Sequence, residues 1–131
     1  MGGVAGVGGV ADVAETLRTG KTLLSHARFA VREESCADFE RVAAELVARA
    51  EQEPGTLTYR FFRGGPGDYA AVEEYADIEA VLAHQAANQD LLARAFEYAD
   101  EKWISVHGDF GPEIREWARD TPGVTLYEDP L

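Results

Sequence analysis

The chain has little cysteine and is short of positive charge. Cys36 is its only cysteine, which excludes an intramolecular disulfide and any multi-cysteine metal site, and suits a reducing cytoplasm. Only 12 Lys and Arg stand against 24 Asp and Glu, a formal net charge of −12. Phosphate backbones and anionic membrane surfaces need positive charge at the contact, so neither nucleic acid nor membrane is an expected partner. A neutral or aromatic small ligand remains open. No stretch approaches the roughly 18 apolar residues of a membrane span. The opening "MGGVAGVGGVADVAETL" lacks the basic segment and continuous apolar run of a secretion signal, which adds to the expectation of a cytoplasmic protein.

What is present suits one modest domain. The chain has 131 residues, 46% hydrophobic and 27% charged. A core of that size gains from self-association. Residues 1–20 read as a Gly-rich tail, disordered to about Gly9, running into a short helix through Val10, Val13, Ala14 and Leu17. Residues 21–131 form the domain.

The periodicities follow one another clearly at first. In "KTLLSHARFAVRE", Leu23, Ser25, Ala27, Phe29 and Val31 share one strand face, and Leu24, His26, Arg28, Ala30 and Arg32 the other. A helix follows, with Phe39, Val42, Ala43, Leu46, Val47 and Ala50 as its stripe. Ser35 and Asp38 are spaced as a capping box, and Pro54-Gly55 ends the helix. "TLTYRFFRGGPGDYAAVEEY" reads as a hairpin. Leu57, Tyr59 and Phe61 share a face of its first strand; Tyr69, Ala71, Glu73 and Tyr75 share one on the return. Asp77 can cap the helix that follows. Leu92, Phe96, Ala99, Trp103, Val106 and Phe110 then step by three or four, which predicts one long helical stretch. A further helical segment carries Ile114 and Trp117, and Val124 to Tyr127 close as a strand.

This order predicts an α+β fold of the ferredoxin-like, split βαβ kind, with an antiparallel sheet and extra helices before the last strand. Helices cover one sheet face. The other carries apolar residues that pairing with a second sheet in a homodimer would cover.

Several residue sets invite a chemical reading. Tyr59, Phe61 and Tyr75 can form an aromatic wall for a flat ligand, or simply pack as strand core. Trp103, Phe96 and Phe110 read first as core or dimer contacts and second as a pocket lid. Glu73 and Glu74 are neighbours on a strand, point to opposite faces and cannot form a paired carboxylate site. His26, His84 and His107 lack metal-ligand spacing, so neither metal nor cofactor is expected. Cys36, at a helix start with no adjacent base, reads as a small buried residue. "GVGGVA" at Gly6–Ala11 lacks the strand that a dinucleotide-binding turn follows, and "TGKT" at Thr19–Thr22 leads into a strand instead of a helix. His84 could be a general acid–base group, since the reference imidazole pKa is about 6.5, or a helix-end residue meeting the dipole.

One stretch carries a resemblance. "EPGTLTYRFFRGGPGDYAAVEEYADIEAVLAHQAAN", with Glu53-Pro54-Gly55, Glu73-Glu74-Tyr75 and Ala83-His84, resembles the core of the antibiotic biosynthesis monooxygenase domains. The likeness spans about residues 22–127 and implies a dimeric α/β barrel with a pocket between helices and sheet. It implies oxidation of an aromatic or polyketide-like molecule by O2 without metal or flavin. His84 would be the base, and Tyr59, Phe61, Tyr75 and Trp103 would hold the ring. Haem-degrading relatives carry an asparagine on the first strand and a tryptophan on the return strand. Here the only asparagine is Asn88, outside any strand, and Tyr75 stands where the tryptophan is usual. Other readings of the family pattern are a non-catalytic binding or dimerisation module, a haem binder and an isomerase.

Overall fold

The computed structural model describes residues 22–131. The tail and short helix expected over residues 1–20 lie outside the described residues. Strand β1 (Leu23–Val31) alternates as its sequence does, burying Leu23, Ala27, Phe29 and Val31. A 3-10 turn at Glu33–Ser35 leads into helix α1 (Cys36–Ala50), whose buried residues are Phe39, Val42, Ala43, Leu46 and Ala50. The hairpin is β2 (Thr56–Arg63) and β3 (Asp68–Tyr75). Helices α2 (Ile78–Ala87) and α3 (Gln89–Tyr98) follow, then β4 (Ala99–His107), α4 (Pro112–Asp120) and β5 (Val124–Tyr127).

The sheet order is β2-β3-β1-β4-β5. Its first four strands pair antiparallel, in the split βαβ arrangement, and β5 joins parallel to β4. The sheet is therefore mixed, a correction to the antiparallel expectation. The parallel edge follows from α4, which carries the chain back across the sheet before β5 begins.

A second correction concerns residues 99–107, which are strand and not helix. Lys102, Ile104 and Val106 pair with the inward-facing Phe29, Ala27 and Ser25 of β1; Trp103, Ser105 and His107 face the other way. Apolar steps of three and four from Leu92 to Phe110 fit a helix across a boundary that pairing with β1 decides. The fourth ferredoxin-like strand is thus β4, and the strand at 124–127 is an addition. Gly123 lets β5 approach, since a Cβ there would lie 2.4 Å from the Lys102 carbonyl oxygen.

Capping corrects one expectation and meets another. Ser35 caps α1 without a side-chain hydrogen bond, because it also closes the 3-10 turn, and Asp38 pairs with Arg41 instead. Asp77 does cap α2, accepting from the Ala80 backbone N–H at 2.8 Å. Gly55 lets the turn after α1 meet α2, because a Cβ there would lie 2.4 Å from Ala80 Cβ.

All four helices contribute to one core with the inner sheet face. Phe39 is its centre, with ring centroids 4.7 Å from Tyr69, 5.4 Å from Phe29 and 6.0 Å from Phe61. Among the described residues no helix covers the outer face. Leu24, Val72, Phe62 and Trp103 remain exposed on it, with Arg28 over Trp103 and Arg60 over Phe62. Among the described residues no helix is long and apolar enough to cross a membrane.

Candidate active site

A cavity of about 380 Å³ lies between the inner sheet face and α2, α3 and α4. That volume falls in the usual range for small-molecule sites, about 300–1,000 Å³. Its walls are mostly apolar, with Ala27, Ile104 and Val106 on the sheet side and Leu92, Phe96 and Ile114 on the helix side. Of the aromatics expected to form a wall, Tyr59, Phe61 and Tyr75 all line it, because their alternation puts them on the inner face. Phe96 and Phe110 line it too. Trp103 does not. It lies on the outer face of β4, 44% exposed and under Arg28, so a ring-holding role inside this cavity is corrected. The reason is the strand: its side chain points opposite to those of Ile104 and Lys102.

His84 sits on α2 at 3% exposure and lines the cavity. The rings of Tyr59 and Tyr75 lie 4.7 Å and 5.6 Å from it, centroid to centroid. Behind it, outside the cavity lining, is Glu53, whose Oε1 lies 2.7 Å from His84 Nδ1. Asn88 Nδ2 donates to Glu53 Oε2 at 2.9 Å and to the His84 backbone carbonyl at 2.8 Å. Those two acceptors use both amide hydrogens, so the 3.2 Å approach of Nδ2 to Nδ1 is a contact and not a third bond. Thr56 Oγ1 donates to Glu53 Oε1 at 2.8 Å.

This network assigns the imidazole proton. Burial alone would raise the Glu53 pKa, but donors Asn88, His84 and Thr56, with the charge interaction at His84, outweigh it and hold the carboxyl below its ordinary range. An ionised Glu53 offers only acceptors, so the 2.7 Å bond requires Nδ1–H. In the neutral ring the other nitrogen, Nε2, then carries the lone pair. It is buried and has no hydrogen-bond partner among the described residues.

A second pair occupies the sheet side. Tyr75 Oη donates to Glu73 Oε1 at 2.5 Å, and both residues line the cavity. In the sheet register Glu73 stands between Ser25 of β1 and Tyr59 of β2. Burial pushes its carboxyl above the ordinary range, against the lowering effects of the Tyr75 hydrogen bond and the His84 charge. Burial, followed by the charge of Glu73, likewise raises the Tyr59 and Tyr75 hydroxyls. Both phenols therefore stay protonated at neutral pH.

Four residues of the candidate site escaped the sequence reading. Glu53 looked like helix-ending punctuation before Pro54-Gly55. Asn88 was legible only as an asparagine outside any strand. Glu73 was legible on the Tyr75 face, yet nothing local said that this face closes on a cavity. Trp117 lines the cavity from α4, in register with the buried Ile114.

The antibiotic biosynthesis monooxygenase family model matches residues 22–96. Among solved structures, MupZ from Pseudomonas fluorescens is similar at 23% identity and TM-score 0.70, over 85% of this chain and 92% of that one. A candidate antibiotic biosynthesis monooxygenase from Caulobacter crescentus CB15 is 25% identical, over 66% of this chain and 87% of that one, TM-score 0.61. SnoaB, a cofactor-independent oxygenase from Streptomyces nogalater, is 19% identical over 66% of this chain and 90% of that one, TM-score 0.59. No curated protein matches.

Proposed function

Because the chain belongs to the antibiotic biosynthesis monooxygenase family, we propose that it is a cofactor-independent monooxygenase acting on an aromatic or polyketide-like small molecule. The observation that carries this reading is the unpartnered Nε2 of His84, in a mostly apolar cavity, with Nδ1 held by Glu53. A base oriented through its far nitrogen is the arrangement that proton abstraction needs. The name of SnoaB, a cofactor-independent oxygenase of the same fold, adds support.

The chemistry follows from that base. Nε2 takes a proton from an acidic methylene or phenol, and Glu53 stabilises the imidazolium that forms. The substrate anion gives one electron to O2. Recombination forms a carbon–oxygen bond and a peroxide, and loss of water leaves a carbonyl. Across the reaction a CH2 group and O2 become C=O and H2O. Tyr59, Phe61 and Tyr75 flank a flat ring, and the apolar walls keep water from the reactive anion. The outer sheet face, with Leu24, Phe62, Val72 and Trp103 exposed, supports a homodimer in which two sheets pair.

The test is oxygen uptake by metal-stripped protein against a panel of anthrone- and hydroquinone-type phenols, with His84→Gln alongside. Uptake that falls in the variant is the expected result. Unchanged uptake removes His84 from the mechanism. Binding without uptake across the panel moves the chain to the non-catalytic modules of this fold.

A further inference from the structure

We propose that Glu73 is a second catalytic residue, the acid opposite His84, and that the pair enolises a ketone without oxygen. The substrate class is a ketone whose acidic C–H is conjugated with its carbonyl. The inference rests on the reading of His84 as the base, and it adds an activity that precedes any encounter with O2.

The geometry of the two pairs carries it. Glu53–His84 and Glu73–Tyr75 each join a carboxyl to a second proton-handling group, and His84, Glu73 and Tyr75 line one cavity, with Glu53 behind His84. The two pairs have opposite polarity. Glu53 is ringed by donors, which suits a carboxylate. Glu73 receives one donor, Tyr75, at Oε1, and its Oε2 has no hydrogen-bond partner among the described residues. Among the described residues no Lys or Arg lines the cavity. The titratable groups around Glu73 are Tyr59 on β2, Tyr75 on β3, His84 on α2 and Glu53 after α1. Ser25 of β1 is neutral, and the cavity-lining residues of α3, β4 and α4 carry no titratable group. Such surroundings favour the neutral acid. With Oε1 accepting from Tyr75, the proton resides on Oε2, the oxygen left for a ligand.

The step balances. His84 Nε2 takes the proton from carbon, and the C–H electron pair becomes the carbon–carbon π bond. The carbonyl π pair takes the proton of Glu73 Oε2 and becomes O–H. A neutral enol remains between imidazolium and carboxylate, and return of its O–H proton to Glu73 gives the anion that the oxygenase reading passes to O2. Solvent exchange at both groups, followed by reversal, returns the ketone with a hydron from water.

The experiment is deuterium exchange into the methylene of anthrone under argon in D2O, followed by NMR, with oxygen uptake measured in parallel in air. Wild type should exceed the buffer rate, and the rate should fall about tenfold per pH unit above the raised range of Glu73. Glu73→Gln, isosteric and neutral, should lower exchange by roughly 100-fold, the scale of general acid catalysis, and lose that falling limb. Exchange no faster than buffer, or a folded Glu73→Gln that exchanges like wild type, overturns the proposal. If Glu73→Gln does not fold, the wild-type profile decides, and a rate that stays level through that range overturns it. Exchange without oxygen uptake sustains the proposal while sinking the oxygenase reading. Uptake with exchange indifferent to Glu73→Gln does the reverse.

Discussion

Glu53 Oε1 and His84 Nδ1 lie 2.7 Å apart, although 31 positions separate them in the chain. That bond selects the imidazole tautomer and leaves Nε2 as the free base. Glu53→Gln offers a neutral amide in place of the charge and no longer dictates the tautomer. Turnover is expected to fall by on the order of 100-fold, within the range that positioned acid–base groups supply. Nitrogen NMR of the imidazole separates this from unfolding: Nδ1–H in the wild type, a mixture in the variant. A variant that keeps both turnover and tautomer removes Glu53 from the site.

The two carboxyls, Glu53 behind His84 and Glu73 in the cavity wall, should act on stability with opposite signs. Glu53 titrates lower in the fold than unfolded. Its contribution is present above the ordinary carboxylate range of about 4.3 and is lost as pH falls through its lowered value. Glu73 titrates higher in the fold. Its contribution is complete below the ordinary range and is lost as pH rises through its raised value, at up to about 1.4 kcal/mol per pH unit. Glu73→Gln should therefore match wild type near pH 3 and become the more stable protein at pH 7. Urea midpoints across that span test both signs, and a wild-type advantage at pH 7 would contradict the Glu73 assignment.

Asn88 is fully buried and supplies two donors to this network. Asn88→Leu leaves Glu53 Oε2 and the His84 carbonyl each short of one. A loss of about 2–3 kcal/mol is expected, since one of those bonds goes to a charged group. Chemical denaturation measures it, and a loss below about 0.5 kcal/mol would mean that solvent replaces both donors.

The outer sheet face should respond to charge. If two sheets pair there, the wild type sediments as a dimer. Trp103→Glu combined with Val72→Glu should then sediment as a monomer, because like charges would be buried at the seam. A monodisperse wild-type monomer would remove the dimer reading and leave the exposed Leu24, Phe62 and Trp103 unexplained by it.

Local order was largely legible because it is written in short periods. Alternation at Leu23–Val31 assigned both faces of β1, and the Phe39–Ala50 stripe assigned the buried side of α1. The same logic put Tyr59, Phe61, Glu73 and Tyr75 on inner faces, which is where the cavity later finds them. It failed at Ala99–His107. There the apolar residues fit both a helical step and a strand step, and backbone pairing with β1 is not encoded in the spacing.

By itself, then, the sequence determined which residues are apolar, in what rhythm, and hence which faces turn inward. It also determined the single thiol and the acidic balance that set aside disulfides and phosphate backbones. Tertiary structure alone decided that Glu53 and Asn88 stand behind His84, that Glu73 meets Tyr75 in a confined cavity, and that Trp103 faces away from it. The physical reason is range. Periodicity reports on neighbours a few residues apart, whereas a proton-handling site joins side chains from separate elements and draws its polarity from the burial they create together.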